Sequence, residues 1–217
     1  RRKQTTMADT QHPESGDRRQ QIMEAALRVF STKGFQKATN KDIAEAAGGI
    51  SPGLIYHYFK DKQDLFFSII QDRAPMVSLA MHPEQLMELP PREGLALIGR
   101  SYLSAAGSPG NAAVLRMLVS EAIRFPQISE MMYQTLVSRI FNLIKRYLEH
   151  QVELGRLRPH DSLIATRSFV GMFLAHIFVR EIFRQPEAQA TSDEEVVRNA
   201  VEIFLHGLEA EGSGAEG

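Results

Sequence analysis

The stretch from Thr39 to Phe59, TNKDIAEAAGGISPGLIYHYF, constrains this chain more than any other. It predicts two short helices joined by a tight turn. Thr39 offers an N-cap oxygen, and Asp42, three residues on, completes a capping box. Ile43, Ala44, Ala46 and Ala47 form a helix of small apolar residues that permits close packing. Gly48 and Gly49 supply the positive φ that ends it, and Ile50 is read as a buried plug in the turn. Ser51 then caps a second helix, with Pro52 at its first position, where a missing N–H costs nothing. Gly53, Leu54, Ile55, Tyr56, His57, Tyr58 and Phe59 follow, an aromatic run with polar tips. Helices joined in this way place the second one in the major groove of DNA.

The flanks support that unit. Asp17 to Lys33 is predicted as an amphipathic helix, capped by Asp17 with Gln20 as its box partner and stopped by Gly34. Its apolar stripe is Ile22, Ala26, Val29 and Phe30. After Phe59, Asp61 and Asp64 make a further capping pair for a helix from Lys62 to about Ala74, which Pro75 ends. Leu65, Phe66, Ile69 and Ile70 are its core face. Net charge is −1, which taken alone argues against a nucleic-acid partner. Its distribution reverses that. Residues 1–62 carry eleven Lys or Arg against seven acids, a net +4, while the remainder is −5. A basic module on an acidic body is the charge pattern of a DNA reader with a second job.

The rest of the chain reads as helices punctuated by turns. Residues 82–91 hold three prolines and are expected to be a loop. Helices are expected over 92–106, 111–124, 126–154, 161–184 and 192–209, and no strand pattern or internal repeat is present. The fold class is all-α. The domain expectation is a polar arm at 1–16, a helix–turn–helix domain at 17–62, a larger helical domain at 63–210 and a disordered tail at 211–217. There is no cysteine, which excludes disulfides and suits a reducing cytoplasm. No secretory signal is legible. No apolar run approaches the roughly eighteen residues of a membrane span; the longest, Phe169 to Val179, is interrupted by His176. A membrane partner is therefore not expected.

The residues Ala25-Ala26, Phe30, Gly34-Phe35, Thr39, Asp42-Ile43-Ala44, Ala47-Gly48, Ile50-Ser51, Gly53, Ile55-Tyr56, Tyr58-Phe59, Lys62 and Leu65-Phe66 together resemble the TetR family of transcriptional regulators. The resemblance covers about residues 20–70. One departure stands out: both Gly49 and Ile50 lie between the Ala-Gly step and Ser51, where the family has one residue, so the turn is one residue longer. The resemblance implies a dimeric repressor of a palindromic operator, released by an apolar or amphipathic small molecule. The DNA contacts it implies, together with side-chain chemistry, are Arg18, Thr39, Lys41, Ser51, Pro52, Gly53, Leu54, Tyr56, His57 and Lys62. One helix reaches only a few base pairs, so two copies about one helical turn apart are needed. The family pairs its last two helices across a four-helix bundle; here that assigns Phe169, Ile177, Phe183, Val197, Val201 and Phe204 to the dimer interface.

Soft and aromatic residues in the body mark a pocket. Tyr102, Phe125, Met132, Met172 and Phe173 are the candidate walls, with Met76, Met81 and Met131 nearby and His176 as the polar contact. The seven histidines stand at no i,i+3 or i,i+4 spacing, so no metal site is expected. No Walker, dinucleotide or nucleophile-elbow pattern occurs, and neither a cofactor nor catalysis is expected. Two other readings stay open: a DNA-binding regulator without a small ligand, controlled by a partner protein or acting constitutively, and an enzyme or carrier built on the helical body.

Overall fold

The computed structural model describes residues 15–208, apart from 74, 75, 77, 78, 81, 105, 106 and 108. Most of the expected arm, the expected tail, Pro75 and Met81 lie outside the described residues. Every regular element described is helical, as the sequence predicts. The chain divides into two compact units, Arg1–Ile69 and Ile70–Gly217.

The first unit holds α1 (Ser15–Lys33), α2 (Asn40–Ala46), α3 (Pro52–Tyr58) and the first two turns of α4 (Lys62–Arg73). Ile22, Ala26, Val29 and Phe30 on α1 are buried, as their helical spacing predicts. They meet Ile43 and Ala44 of α2, Ile55 of α3, and Leu65, Phe66 and Ile69 of α4, all buried. Phe30, Phe35 and Phe66 form a ring cluster with centroids 4.7, 5.3 and 5.9 Å apart. Each such ring removed from water contributes about 1.5–3 kcal/mol. The unit runs past the expected boundary at residue 62 because Leu65, Phe66 and Ile69 belong to this core.

The second unit contains α5 (Glu84–Met87), α6 (Pro91–Ser104), α7 (Pro109–Arg124), α8 (Pro126–Met132), α9 (Ser138–Glu153), α10 (Ser162–Ile177), α11 (Pro186–Ala190) and α12 (Asp193–Leu208). α5 is a single turn inside the stretch expected to be a loop; it forms because Leu86 is drawn into the core. The long helix expected from Pro126 is present as α8 and α9, but a π-helical turn at Tyr133–Val137 joins them. A second π turn, Phe178–Ile182, extends α10. Such insertions leave a 3.6-residue pattern nearly intact and are hard to see in sequence. The Asp161 carboxylate caps α10 by accepting from the Leu163 and Ile164 amides, both at 2.9 Å.

Two glycines set the packing of α6. A Cβ on Gly94 would lie 2.1 Å from the Tyr147 hydroxyl oxygen, and one on Gly99 would lie 2.6 Å from Phe173 Cζ. α9 and α10 therefore seat an aromatic ring each against bare α6 backbone. The Tyr147 hydroxyl, fully inside, donates to the Leu89 and Pro90 carbonyls, each at 3.0 Å. Burial pushes that phenol above its ordinary range.

Ser162–Ile182 is a continuous helical stretch of 21 residues that meets the length and composition of a bilayer span, a test that core helices also meet. One side of this stretch, with Phe169, Val170, Phe173 and Ile177, is buried in the unit's own core.

Candidate nucleic-acid interface and ligand cavity

The helix–turn–helix assembles as its capping signals dictate. The Asp42 amide donates to Thr39 Oγ1 at 3.1 Å, and the Thr39 amide donates to Asp42 Oδ2 at 3.0 Å, a complete capping box at the start of α2. Lys33 Nζ donates to the same carboxylate at 2.6 Å. These partners, Lys33 first and then the Thr39 amide and hydroxyl, hold the Asp42 carboxyl down at about 2. The longer turn is absorbed by glycine: φ is +91° at Gly48 and +74° at Gly49. That geometry lets the Gly49 and Ile50 amides donate to the Ala44 carbonyl, both at 3.1 Å. α1 closes the remaining carbonyls, with Gln21 Nε2 on Ala47 O at 3.1 Å and Arg28 on Ala46 O at 3.0 Å. Ile50 is only half-buried; the expected plug is supplied by hydrogen bonds instead.

α3 starts with Ser51, whose Oγ accepts from the Leu54 amide at 3.3 Å, and Pro52 at its first position. Seven residues make a rod about 10 Å long. Ile55 faces the core, Leu54 and Tyr58 are half-buried, and Ser51, Pro52, Gly53, Tyr56 and His57 are exposed. Tyr56 keeps 60% of its surface in water, a large aromatic with no packing role. Lys41 on α2 is exposed, and Thr39 is exposed beside its cap. Arg18 is half-buried and donates to Gln21 Oε1 at 2.6 Å. The structure thus brings Ser51, Pro52, Gly53, Tyr56 and His57 onto one open face.

Lys62 does not join them. Its ammonium donates to the Phe35, Gln36 and Ala38 carbonyls at 2.8, 3.2 and 2.9 Å and lies 4.7 Å from the centre of the Phe35 ring. A Lys has three N–H donors, and all three are committed to the turn after α1. Besides any phosphate contact, Lys62 thus has a structural part in this unit, bracing the turn after α1. Sequence reasoning had counted Lys37 and Lys60 only in the charge total. Both are exposed and form no ion pair among the described residues. No local signal separates such a lysine from an ordinary solvated one.

The second unit holds a cavity of about 310 Å³. α7 gives Val114, Leu115, Leu118, Val119 and Ala122; Met132, Leu136, Val137, Ile140 and Phe141 close one side and Val170, Leu174 and Ile177 of α10 another. Ile70, Arg73, Met76, Tyr102 and Asn111 complete the wall. Of the predicted ligand residues, Tyr102 and Met132 line it. Phe125, Met172, Phe173 and His176 do not. Phe173 is fully buried one layer behind Tyr102, their rings stacked at 6.4 Å. Met172 borders a separate shallow groove with Val196, Ala200 and Ile203 of α12. His176 Nε2 is buried without a hydrogen-bond partner, and burial, then the Arg180 charge, lowers its pKa. The difference has one cause: aromatic and Met residues are favoured as walls from sequence, whereas aliphatic side chains, those of α7 above all, supply more of the lining.

The interface residues also need correction. Phe169, Ile177, Val197, Val201 and Phe204 are buried in the unit's own core, which removes them from any partner. Only Phe183 among those predicted is exposed. The same helices instead expose Leu163, Ile164 and Leu174 on α10 and Ile203 on α12, the last with 65% of its surface in water.

A basic helix–turn–helix with an open second helix, followed by a helical body with an apolar cavity, defines a DNA-binding transcriptional regulator. Two family models match: the regulatory proteins of the bacterial tetR family over residues 22–69, and the C-terminal domain of AefR-like transcriptional repressors over residues 93–207. The chain belongs to the TetR family. The regulator UidR of Escherichia coli is 32% identical over 160 residues, covering 70% of this chain and 76% of that protein. Among solved structures, FadR of Bacillus subtilis in complex with stearoyl-CoA superposes with a TM-score of 0.66 at 21% identity, covering 87% of this chain and 98% of that one. A triclosan complex of SmeT, the repressor of a Stenotrophomonas maltophilia efflux pump, superposes with a TM-score of 0.72 at 19% identity, covering 90% and 93%.

Proposed function

We propose that this regulator is a dimeric repressor that binds a palindromic operator through α3 and is released when a small apolar or amphipathic molecule fills the cavity. The observation that carries the DNA part is the open face of Ser51, Pro52, Gly53, Tyr56 and His57 on a helix fixed by caps at its start and by two glycines before it. Lys41, Lys37 and Lys60 supply phosphate contacts around it, and Arg18 and Thr39 flank it. Leu54, half-buried, offers a methyl contact to thymine.

The exposed residues Leu163, Ile164, Leu174 and Ile203 support a second copy of the chain covering α10 and α12, as the family's bundle implies. That partner also accounts for a long apolar helix without a bilayer. The cavity, together with the stearoyl-CoA and triclosan complexes of the structural neighbours, supports control by a ligand. Ligand binding releases DNA only through a difference in affinity between the free and bound forms.

Selection from a random duplex library tests the reading. It is expected to return a palindrome whose half-sites lie about 34–36 Å apart, bound by a dimer. Enrichment no better than for non-specific duplex, or a monomer at all concentrations, contradicts it.

A further inference from the structure

The cavity's walls narrow its ligand further than "apolar or amphipathic", on the reading that the cavity is the ligand site. They are almost wholly carbon. Three lining residues carry polar groups. Asn111 donates one amide N–H to Ser104 O at 2.9 Å, which ties its side chain to the end of α6. Arg73 lies in the last turn of α4 and is only partly buried, so its charge keeps access to water. Tyr102 is different. Its ring is held against Phe173, and its hydroxyl makes no hydrogen bond to any described residue. Burial raises that phenol above its ordinary range, so it stands as a neutral O–H donor. Tyr102 is only partly buried and lines the cavity, so a ligand that displaces water from its hydroxyl must bring an acceptor of its own or leave that donor unpaired.

We propose that the cavity takes a neutral, largely hydrocarbon molecule carrying one hydrogen-bond acceptor, which accepts from the Tyr102 hydroxyl. At interior packing density the volume suits roughly ten to fifteen non-hydrogen atoms. An anionic head has no charged partner inside the wall, and its burial is penalised.

Three probes of equal size separate the possibilities: 2-acetylnaphthalene, 2-isopropenylnaphthalene and 2-naphthoate. Their affinities for the full chain and for Tyr102→Phe are measured by equilibrium dialysis. The ketone is expected to bind the wild type and to weaken about three- to tenfold in Tyr102→Phe, the scale of one neutral hydrogen bond. The alkene binds both proteins equally, and the naphthoate binds the wild type at least about tenfold more weakly than the ketone. In the wild-type complex the ketone's carbonyl stretch falls below its frequency in hexane, a readout that needs no variant. Naphthoate binding as tight as the ketone and lost in Arg73→Gln, ketone affinity unchanged in Tyr102→Phe, an unshifted carbonyl band, or no binding of any probe overturns the inference. Operator affinity of the ligand-free protein decides the repressor reading separately, since it is indifferent to which probe binds.

Discussion

The two units of this protein are built by different rules. In the first, the caps and the turn between α2 and α3 are set locally, and Gln21, Arg28 and Lys62 brace them from 18 to 27 residues away. Thr39 and Asp42, Ser51 and Leu54, and Gly49 and Ile50 with Ala44 are all within six residues of their partners. In the second, the decisive interactions span the chain. Tyr147 caps carbonyls at Leu89 and Pro90, and Phe173 rests on Gly99. Local rules fix the caps and turn of the reading head. Long-range packing leaves an unfilled space, because the aliphatic face of α7 has no side chain to cover it.

The difference can be broken deliberately. The largest effect is expected from Gly94→Ala, whose Cβ would lie 2.1 Å from the Tyr147 hydroxyl. Overpacking and the loss of two buried hydrogen bonds cost about 3 kcal/mol. Denaturant titration should show the second unit destabilised while amide exchange in α2 and α3 is unchanged. Equal loss in both units would mean the local and long-range regimes are not separate.

Lys62→Ala comes next, at about 2 kcal/mol, since three carbonyls lose their donor. The first unit should melt earlier, with the salt slope of DNA binding unaltered once unfolding is allowed for. A slope reduced by about one would place Lys62 among the phosphate contacts. Gly49→Ala is smaller, about 1 kcal/mol, because φ is +74° but a Cβ there meets nothing. A neutral result in thermal melting would show that the turn can relax out of the left-handed region.

The smallest effect is the pH dependence of Asp42. Its folded carboxyl is depressed from 3.8 to about 2, so its stabilisation is present above 3.8 and is lost as pH falls toward about 2. Stability of the first unit should fall across that window in the wild type and less steeply in Asp42→Asn. Parallel curves would remove the capping box as the cause.

This division also explains what the sequence showed. Caps, glycines and the α1 stripe are written within a few residues, so the reading head was legible down to individual hydrogen bonds. The bracing of the turn at Phe35 to Ala38 by Lys62 was not legible, because those acceptors lie more than twenty residues away. In the body, helix periodicity located the apolar residues but not the face each would turn inward. α10 and α12 are apolar on two sides, so Phe169 and Phe204 were taken for the interface when Ile164 and Ile203 are exposed. The pocket was expected and Tyr102, Met132 and Met76 do line it, but its α7 wall was not legible, since α7's own residues do not record which face stays uncovered.

The central claim is that α3 reads DNA through an exposed face on which Tyr56 is held largely in water. The most direct measurement is the affinity of Tyr56→Ala for the selected operator, with its melting temperature taken on the same preparation. With 60% of Tyr56 in water, melting should be unchanged while affinity falls about tenfold or more. Unchanged affinity at unchanged stability would contradict the account.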